Sequence, residues 1–164
     1  MRIKFVAKDI VVTPEPATVI VTPFFLHHYA EDFLAAAMTA PMGKPYSPVR
    51  YYLVCHAIEV AFKALCRARG EELDDLRKKL GHDLEKGLNK ARGHGLETLI
   101  QVTKREEDEL IKANDFYAKK GFEYITYVML KQAVYAYKGL PDLTVLMELA
   151  QRLVDGLKAT CKMT

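Results

Sequence analysis

The stretch that decides the fold runs from Ser47 to Leu65 and reads SPVRYYLVCHAIEVAFKAL. Ser47 is a favourable N-cap because its hydroxyl can accept a hydrogen bond from an unpaired backbone N–H of the first turn. Pro48 follows at the first helical position, where its missing N–H has no consequence. Apolar residues recur with a helical period and form a broad face, made of Tyr51, Leu53, Val54, Ala57, Ile58, Val60, Ala61, Ala64 and Leu65. A face this broad predicts the buried central helix of a bundle, and Gly70 is its natural end.

Three polar residues interrupt this apolar face. His56, Glu59 and Lys63 are spaced i, i+3 and i+7, which places them on one side of the helix. One interpretation is a partly buried ion pair with a hydrogen-bonded histidine, because ionisable groups enter a core only when they are paired. The other is a polar pocket in which His56 titrates near neutral pH and handles protons or phosphate.

A Gly81-His82-Asp83-Leu84 turn follows closely. Leucines from Leu73 to Leu80 predict a short helix that ends at Gly81, and Asp83 or His82 then caps the next helix. His82 either packs locally at this turn or faces His56, Glu59 and Lys63. In the second case the turn completes one polar cluster, which includes Asp83. That cluster is either a site for a phosphate or a nucleotide, or an internal polar network of the bundle.

The rest of the chain predicts a mainly α, up-and-down helical bundle over residues 24–164, preceded by a β-prone arm or hairpin at residues 1–23. A first helix is expected at about 24–40. Thr103-Lys104-Arg105-Glu106 has the form of a capping box, with its helix continuing to Gly121. Residues 122–138 are rich in aromatic and β-branched side chains and favour an extended segment, with one or two helical turns at Met129 to Tyr137 as the alternative. Pro141 then begins the last helix.

Composition places the chain among single-domain proteins of 164 residues. A net charge of +3 is too mild to require nucleic acid, since acidic residues are interspersed with basic ones throughout. Cys55, Cys66 and Cys161 are odd in number and lack metal-type spacing, which predicts free thiols in a reducing compartment. The chain has no apolar run of about 20 residues and no signal-peptide layout at its start, so we expect a cytoplasmic protein without a membrane span.

Several kinds of chemistry are disfavoured by the sequence. It contains no Gly-rich phosphate loop, no H-E-x-x-H, no paired C-x-x-C and no G-x-S-x-G. His27 and His28 are adjacent on a helix and point about 100° apart, which makes them a poor metal pair. The sequence therefore predicts neither a cofactor nor a metal site.

The segment from His56 to Leu65, the Gly81-His82-Asp83-Leu84 turn, and the later stretches Tyr117–Tyr124 and Pro141–Leu143 resemble the HEPN superfamily, in particular bacterial HEPN-like proteins of unassigned function. The resemblance covers about residues 25–160. It implies a helical bundle that often forms a homodimer. The superfamily includes RNA-cleaving toxins and defence proteins, and also non-catalytic partners of nucleotidyltransferases. The resemblance thus implies RNA or a nucleotide as a ligand, and a nucleotidyltransferase or an antitoxin as a partner.

Nuclease members of that superfamily carry an R-x4-6-H motif and cleave RNA without a metal, with histidine moving a proton and arginine stabilising phosphate charge. Two pairs here match the bare pattern, Arg50 with His56 and Arg77 with His82. Neither lies in the late helices where the family places its motif. The favoured prediction is therefore a dimeric HEPN-like binding module without chemistry of its own. The alternative is a metal-independent endoribonuclease that uses His82 with Arg77, or His56 with Arg50.

Overall fold

The computed structural model describes residues 20–41, 46–123 and 139–162. This part of the chain is helical and contains no strand, which confirms the predicted all-α bundle. Its helices are α1 (Pro23–Thr39), α2 (Pro48–Ala68), α3 (Leu73–Leu80), α4 (Leu84–Gly93), α5 (Lys104–Tyr117) and α6 (Leu143–Leu157), with a 3-10 helix at Leu96–Thr98. The predicted N-terminal arm and the predicted extended segment before Pro141 fall mainly outside the described residues. None of the described helices combines the length and apolar character needed to cross a bilayer.

Helix α2 is the centre of the bundle, as its sequence predicts. Ser47 caps it by accepting a hydrogen bond from the Arg50 backbone N–H at 3.4 Å, and Pro48 is its first residue. Most of its side chains are buried, and it contacts α1, α3, α4, α5 and α6. Because α2 contacts each of the other five described α-helices, polar groups on it can meet side chains from distant parts of the sequence.

Two further caps confirm local predictions. The Asp83 carboxylate accepts from the Lys86 backbone N–H at 3.0 Å and starts α4, so Asp83 rather than His82 is the cap. Thr103 and Glu106 form the reciprocal capping box of α5. Both motifs depend only on residues within one turn, which is why the sequence identifies them.

Two helix ends differ from the prediction. Helix α5 stops at Tyr117 instead of reaching Gly121, because Lys120 adopts a left-handed backbone with φ of 59° and the Gly121 N–H bonds back to the Phe116 carbonyl at 2.7 Å. Helix α6 begins at Leu143, two residues after Pro141. There the Asp142 carboxylate accepts from the Thr144 and Val145 N–H groups at 2.9 and 3.4 Å and so acts as the cap.

The three cysteines are free and buried, in agreement with the predicted thiols. Burial raises the pKa of Cys66 and of Cys161 to about 11, and it also raises the pKa of Cys55. These side chains are therefore protonated packing residues, because the thiolate is the nucleophile and the metal ligand.

Candidate functional site

A cluster of five polar side chains joins α2, the turn between α3 and α4, and the end of α5. We call it the polar cluster, and its members are His56, Glu59, Lys63, His82 and Tyr117. Glu59 is its centre and is almost fully buried, with 5% of its side chain exposed. One carboxylate oxygen, Oε2, accepts from the Tyr117 hydroxyl at 2.5 Å and from His82 Nδ1 at 3.0 Å. The other oxygen, Oε1, accepts from Lys63 Nζ at 2.5 Å.

Local geometry places each of these groups. Glu59 and Lys63 are four residues apart on α2 and therefore lie one turn from each other. Lys63 Nζ also donates to the Gly81 carbonyl at 2.8 Å, at the turn that carries His82. Gly81 has φ of 54° and ψ of −126°. Residues that carry a Cβ atom rarely adopt this backbone conformation, whereas glycine adopts it readily. The glycine thus permits the sharp turn that brings His82 over α2.

Asn114 of α5 fixes the same turn from the other side. Its Oδ1 accepts from the Leu84 backbone N–H at 2.8 Å, and its Nδ2 donates to Asp83 at 3.1 Å. Asp83 is therefore held at the edge of the polar cluster, where it serves α4 as a cap and α5 as a hydrogen-bond acceptor. The amide of Asn114 therefore joins α5, which supplies Tyr117, to the turn that carries His82.

The charge of Glu59 is strongly stabilised. Burial alone would raise the pKa of Glu59, but its contacts with His56, Lys63 and Tyr117 outweigh burial and lower that pKa to about 2. Burial and the adjacent Glu59 charge raise the pKa of the Tyr117 phenol. At neutral pH the polar cluster therefore contains an ionised carboxylate and a protonated phenol.

These charge states define the hydrogen positions. An ionised Glu59 only accepts, so the proton in its contact with Tyr117 belongs to the phenol. The Tyr117 oxygen then accepts from His56 Nδ1, which lies 2.7 Å away, and His82 Nδ1 donates directly to Glu59. Both imidazoles hence carry a proton on Nδ1. Among the described residues no hydrogen bond uses Nε2 of either ring, so in the neutral form each Nε2 offers a lone pair.

The polar cluster opens to solvent beside aromatic rings. About half of the His82 side chain is exposed, at 51%, whereas His56 and Lys63 expose 16% each. Tyr52 lies parallel to the His56 ring at 5.6 Å between centroids, and Phe33 meets the same ring edge-on at 4.4 Å. The exposed ring of Tyr29 continues this series through an edge contact with Phe33. Aromatic and polar groups therefore share one part of the surface.

The structure brings together four of the residues selected from sequence, His56, Glu59, Lys63 and His82, with Asp83 beside them. The two arginines make other contacts. Arg77 is exposed on α3, where it pairs with Asp74 at 3.6 Å. Arg50 is buried and donates to the Ala37 carbonyl at 3.0 Å and to the Met147 sulfur at 3.4 Å.

Sequence reasoning missed Tyr117 and Asn114 as members of this neighbourhood. Both belong to α5, far along the chain from α2, so no local spacing relates them to Glu59. The available signal was their own pattern, because Leu110, Ala113 and Tyr117 form the buried face of α5 and Asn114 adjoins it. A polar group next to a buried stripe requires a hydrogen-bond partner in the bundle.

The polar cluster also contains a set of potential metal ligands. One nitrogen of His56, one nitrogen of His82 and one oxygen of Glu59 all lie within 4.8 Å of one another, a grouping found once among the described residues. His27 and His28 do not form such a set, since His27 is buried against the Val154 carbonyl and His28 pairs with Glu31. The prediction that the chain lacks a metal site considered only neighbours in sequence.

No family model, curated protein or solved structure matches this chain. The geometry of the polar cluster is therefore the basis for inferring what the protein does.

Proposed function

We propose that this chain is a HEPN-like binding module that binds RNA or a nucleotide at the open side of the polar cluster, without chemistry of its own. One observation supports this proposal above others. His56 contacts the Tyr117 hydroxyl through Nδ1, and its ring stacks on Tyr52 and packs perpendicular to Phe33, so hydrogen-bonding groups and aromatic rings lie side by side. A nucleotide needs this combination, with aromatic faces for the base and hydrogen-bonding groups for sugar and phosphate.

The charge balance predicts how such a ligand is held. The positive charge of Lys63 is offset by Glu59, with which it pairs directly. The polar cluster therefore attracts anions only weakly, and electrostatic attraction of phosphate contributes little to the affinity for RNA or a nucleotide. Stacking contributes about 1–3 kcal/mol per base. Because stacking is a contact between uncharged rings, salt screens it far less than it screens contacts with phosphate. We expect moderate affinity for single-stranded RNA with a shallow dependence on salt.

Fluorescence polarisation with labelled single-stranded RNA and with labelled adenine and guanine nucleotides tests the proposal, with EDTA present throughout. Tyr52→Leu removes a stacking face and should weaken binding by about 5- to 100-fold. His82→Ala should also weaken it. His28→Ala is the matched control, because it removes an exposed histidine that pairs with Glu31 on α1. Absence of wild-type binding to every RNA and nucleotide, or equal losses in His28→Ala and His82→Ala, would refute the proposal.

A second candidate function is favoured by the Glu59–His82 hydrogen bond. A buried carboxylate that orients a half-exposed imidazole through Nδ1 leaves Nε2 as a general base. His56, anchored through Tyr117, lies with its ring centroid 6.3 Å from that of His82 and is a second proton carrier. These groups suit a metal-independent endoribonuclease, with Arg77 as the proposed phosphate-binding residue if RNA reaches α3.

Cleavage of labelled RNA in EDTA distinguishes this enzyme from the binding module. The endoribonuclease requires cleavage by the wild type and loss of cleavage in folded His82→Ala and His56→Ala variants. Arg77→Ala should lower the rate without changing the fold, because its side chain is exposed. Intact RNA after incubation with wild type would leave the binding module as the function.

The proposal extends to assembly. The HEPN resemblance implies a homodimer and a nucleotidyltransferase or antitoxin partner, and two large apolar side chains exposed on α1, Phe24 and Met38, support a protein contact. Light scattering after size-exclusion chromatography should give twice the 18.6 kDa mass of the chain. Phe24→Asp should reduce that mass, whereas a monomer at all concentrations would refute the homodimer.

A further inference from the structure

We propose that His56, Glu59 and His82 form a binding site for one divalent transition-metal ion, with Zn²⁺ as the ion to test. The site goes beyond the proposed RNA binding and does not depend on it. Imidazole nitrogen and carboxylate oxygen are ligands that zinc prefers, and two histidines with one carboxylate is a known ligand set for ions that keep an open coordination position.

The spacing of the ligand atoms fits a single ion. Ligands about 2.0–2.2 Å from a tetrahedral zinc ion are about 3.5 Å apart. Glu59 Oε2 lies 3.6 Å from His56 Nδ1 and 3.0 Å from His82 Nδ1, values on either side of that separation. The ligand nitrogens of the two histidines lie within 4.8 Å of each other, so a bound ion requires rotation of the two imidazole side chains towards it. The half-exposed His82 leaves the remaining coordination position towards solvent.

Coordination of the ion through the Nδ1 atoms of the two histidines leaves the number of bound protons unchanged. Each neutral imidazole moves its proton from Nδ1 to Nε2, which no hydrogen bond of the described residues occupies. The lone pair of Nδ1 then binds the ion, and no net proton is released. Tyr117 loses the donor on His56 but keeps its own O–H bond to Glu59. Such a second contact orients the carboxylate and strengthens the site.

Lys63 gives the proposal its sharpest consequence. Its ammonium occupies Glu59 Oε1 and limits the carboxylate to one metal bond through Oε2. Its charge also opposes a second cation nearby, because the Glu59–Lys63 pair is already neutral. Removal of that charge should therefore tighten metal binding. If the polar cluster is only structural, Lys63 stabilises the fold alone and its replacement should create no increase in metal affinity.

Metal binding is measured on the full chain, stripped with chelator and then dialysed against Zn²⁺, with bound metal determined by mass spectrometry. Competition with a chromogenic chelator gives the affinity. We expect one ion per chain, at least tenfold weaker binding in His82→Ala and His56→Ala, and tighter binding in Lys63→Gln. The control His28→Ala, which removes an exposed histidine–glutamate pair of similar composition, should bind like wild type.

Three outcomes would overturn the site: less than one ion per chain at saturation, equal losses in His28→Ala and His82→Ala, or weaker binding in a folded Lys63→Gln variant. Circular dichroism verifies the fold of each variant. His82→Ala is the decisive variant because its side chain is half exposed and its loss leaves the core packed. The wild type is also loaded with Co²⁺, whose visible absorption spectrum shows whether nitrogen and oxygen atoms coordinate the ion. Since RNA binding is measured in EDTA, the failure of one proposal leaves the other standing.

Discussion

Acidification should weaken this fold through one buried carboxylate, Glu59, and Glu59→Gln should abolish that part of the pH dependence. The pKa of Glu59 is lowered from an ordinary 4.5 to about 2, despite burial, by its contacts with His56, Lys63 and Tyr117. Because the folded-state pKa is the lower one, the stabilisation is complete above pH 4.5. It is lost as the pH falls towards 2.

The magnitude follows from the two pKa values. Their difference corresponds to about 3 kcal/mol of unfolding free energy at neutral pH, and linkage places the loss of about 2 kcal/mol of it between pH 7 and pH 3. The glutamine side chain in the Glu59→Gln variant cannot ionise, so that variant lacks this pH-dependent contribution to the unfolding free energy. The stability gap between wild type and Glu59→Gln should therefore shrink by about 2 kcal/mol over that interval.

Urea unfolding followed by circular dichroism at pH 7, 5 and 3, at constant ionic strength, measures this gap. Glu148→Gln is the control, since Glu148 is exposed on α6 and its replacement should change stability by less than about 0.5 kcal/mol at each pH. Carboxyl ¹³C chemical shifts of Glu59 report its titration directly, even if the glutamine variant unfolds. Parallel stability curves for wild type and Glu59→Gln, or a Glu59 midpoint near 4.5, would refute the reasoning.

Other predictions concern the same neighbourhood. Tyr117→Phe removes the hydroxyl shared by Glu59 and His56 and should destabilise the fold by about 1–3 kcal/mol in urea unfolding; a loss under 0.5 kcal/mol would contradict the hydrogen bonds. Asn114→Ala breaks two hydrogen bonds between α5 and the α4 cap, and it should lower the thermal midpoint and weaken RNA binding together. Gly81→Ala forces a side chain into a disfavoured backbone region and should cost about 1–3 kcal/mol by thermal unfolding. An unchanged midpoint in that variant would show that the turn relaxes without strain.

The helices of this protein are predictable because their signals are local. Ser47, Asp83 and Thr103 cap their helices through hydrogen bonds that span at most three residues, so sequence spacing suffices to identify them. The start of the last helix was predicted wrongly because two neighbouring residues both favour a helix N-terminus. The sequence predicted that Pro141 begins α6, but Asp142 is the N-cap because its carboxylate accepts hydrogen bonds from two otherwise unpaired backbone N–H groups.

The helical period placed His56, Glu59 and Lys63 on one face of α2, and burial among apolar neighbours followed from the composition of that face. The sequence left two alternatives for His82, either a local contact at its own turn or an approach to Glu59. The hydrogen bond of 3.0 Å between His82 and Glu59 decides for the approach. Tyr117 was absent from the sequence-based site because it reaches Glu59 from α5.

Sequence alone thus determined the approximate positions of the helices, three of their caps and the polar face of α2, since each depends on residues one or two turns apart. Tertiary structure alone decided that the α3–α4 turn and the end of α5 converge on Glu59. The register between helices depends on how many side chains pack at once, as at Gly87, where a Cβ would lie 3.1 Å from the Phe62 ring. No local pattern encodes that sum of contacts, and the convergence of the polar cluster on Glu59 arises from it.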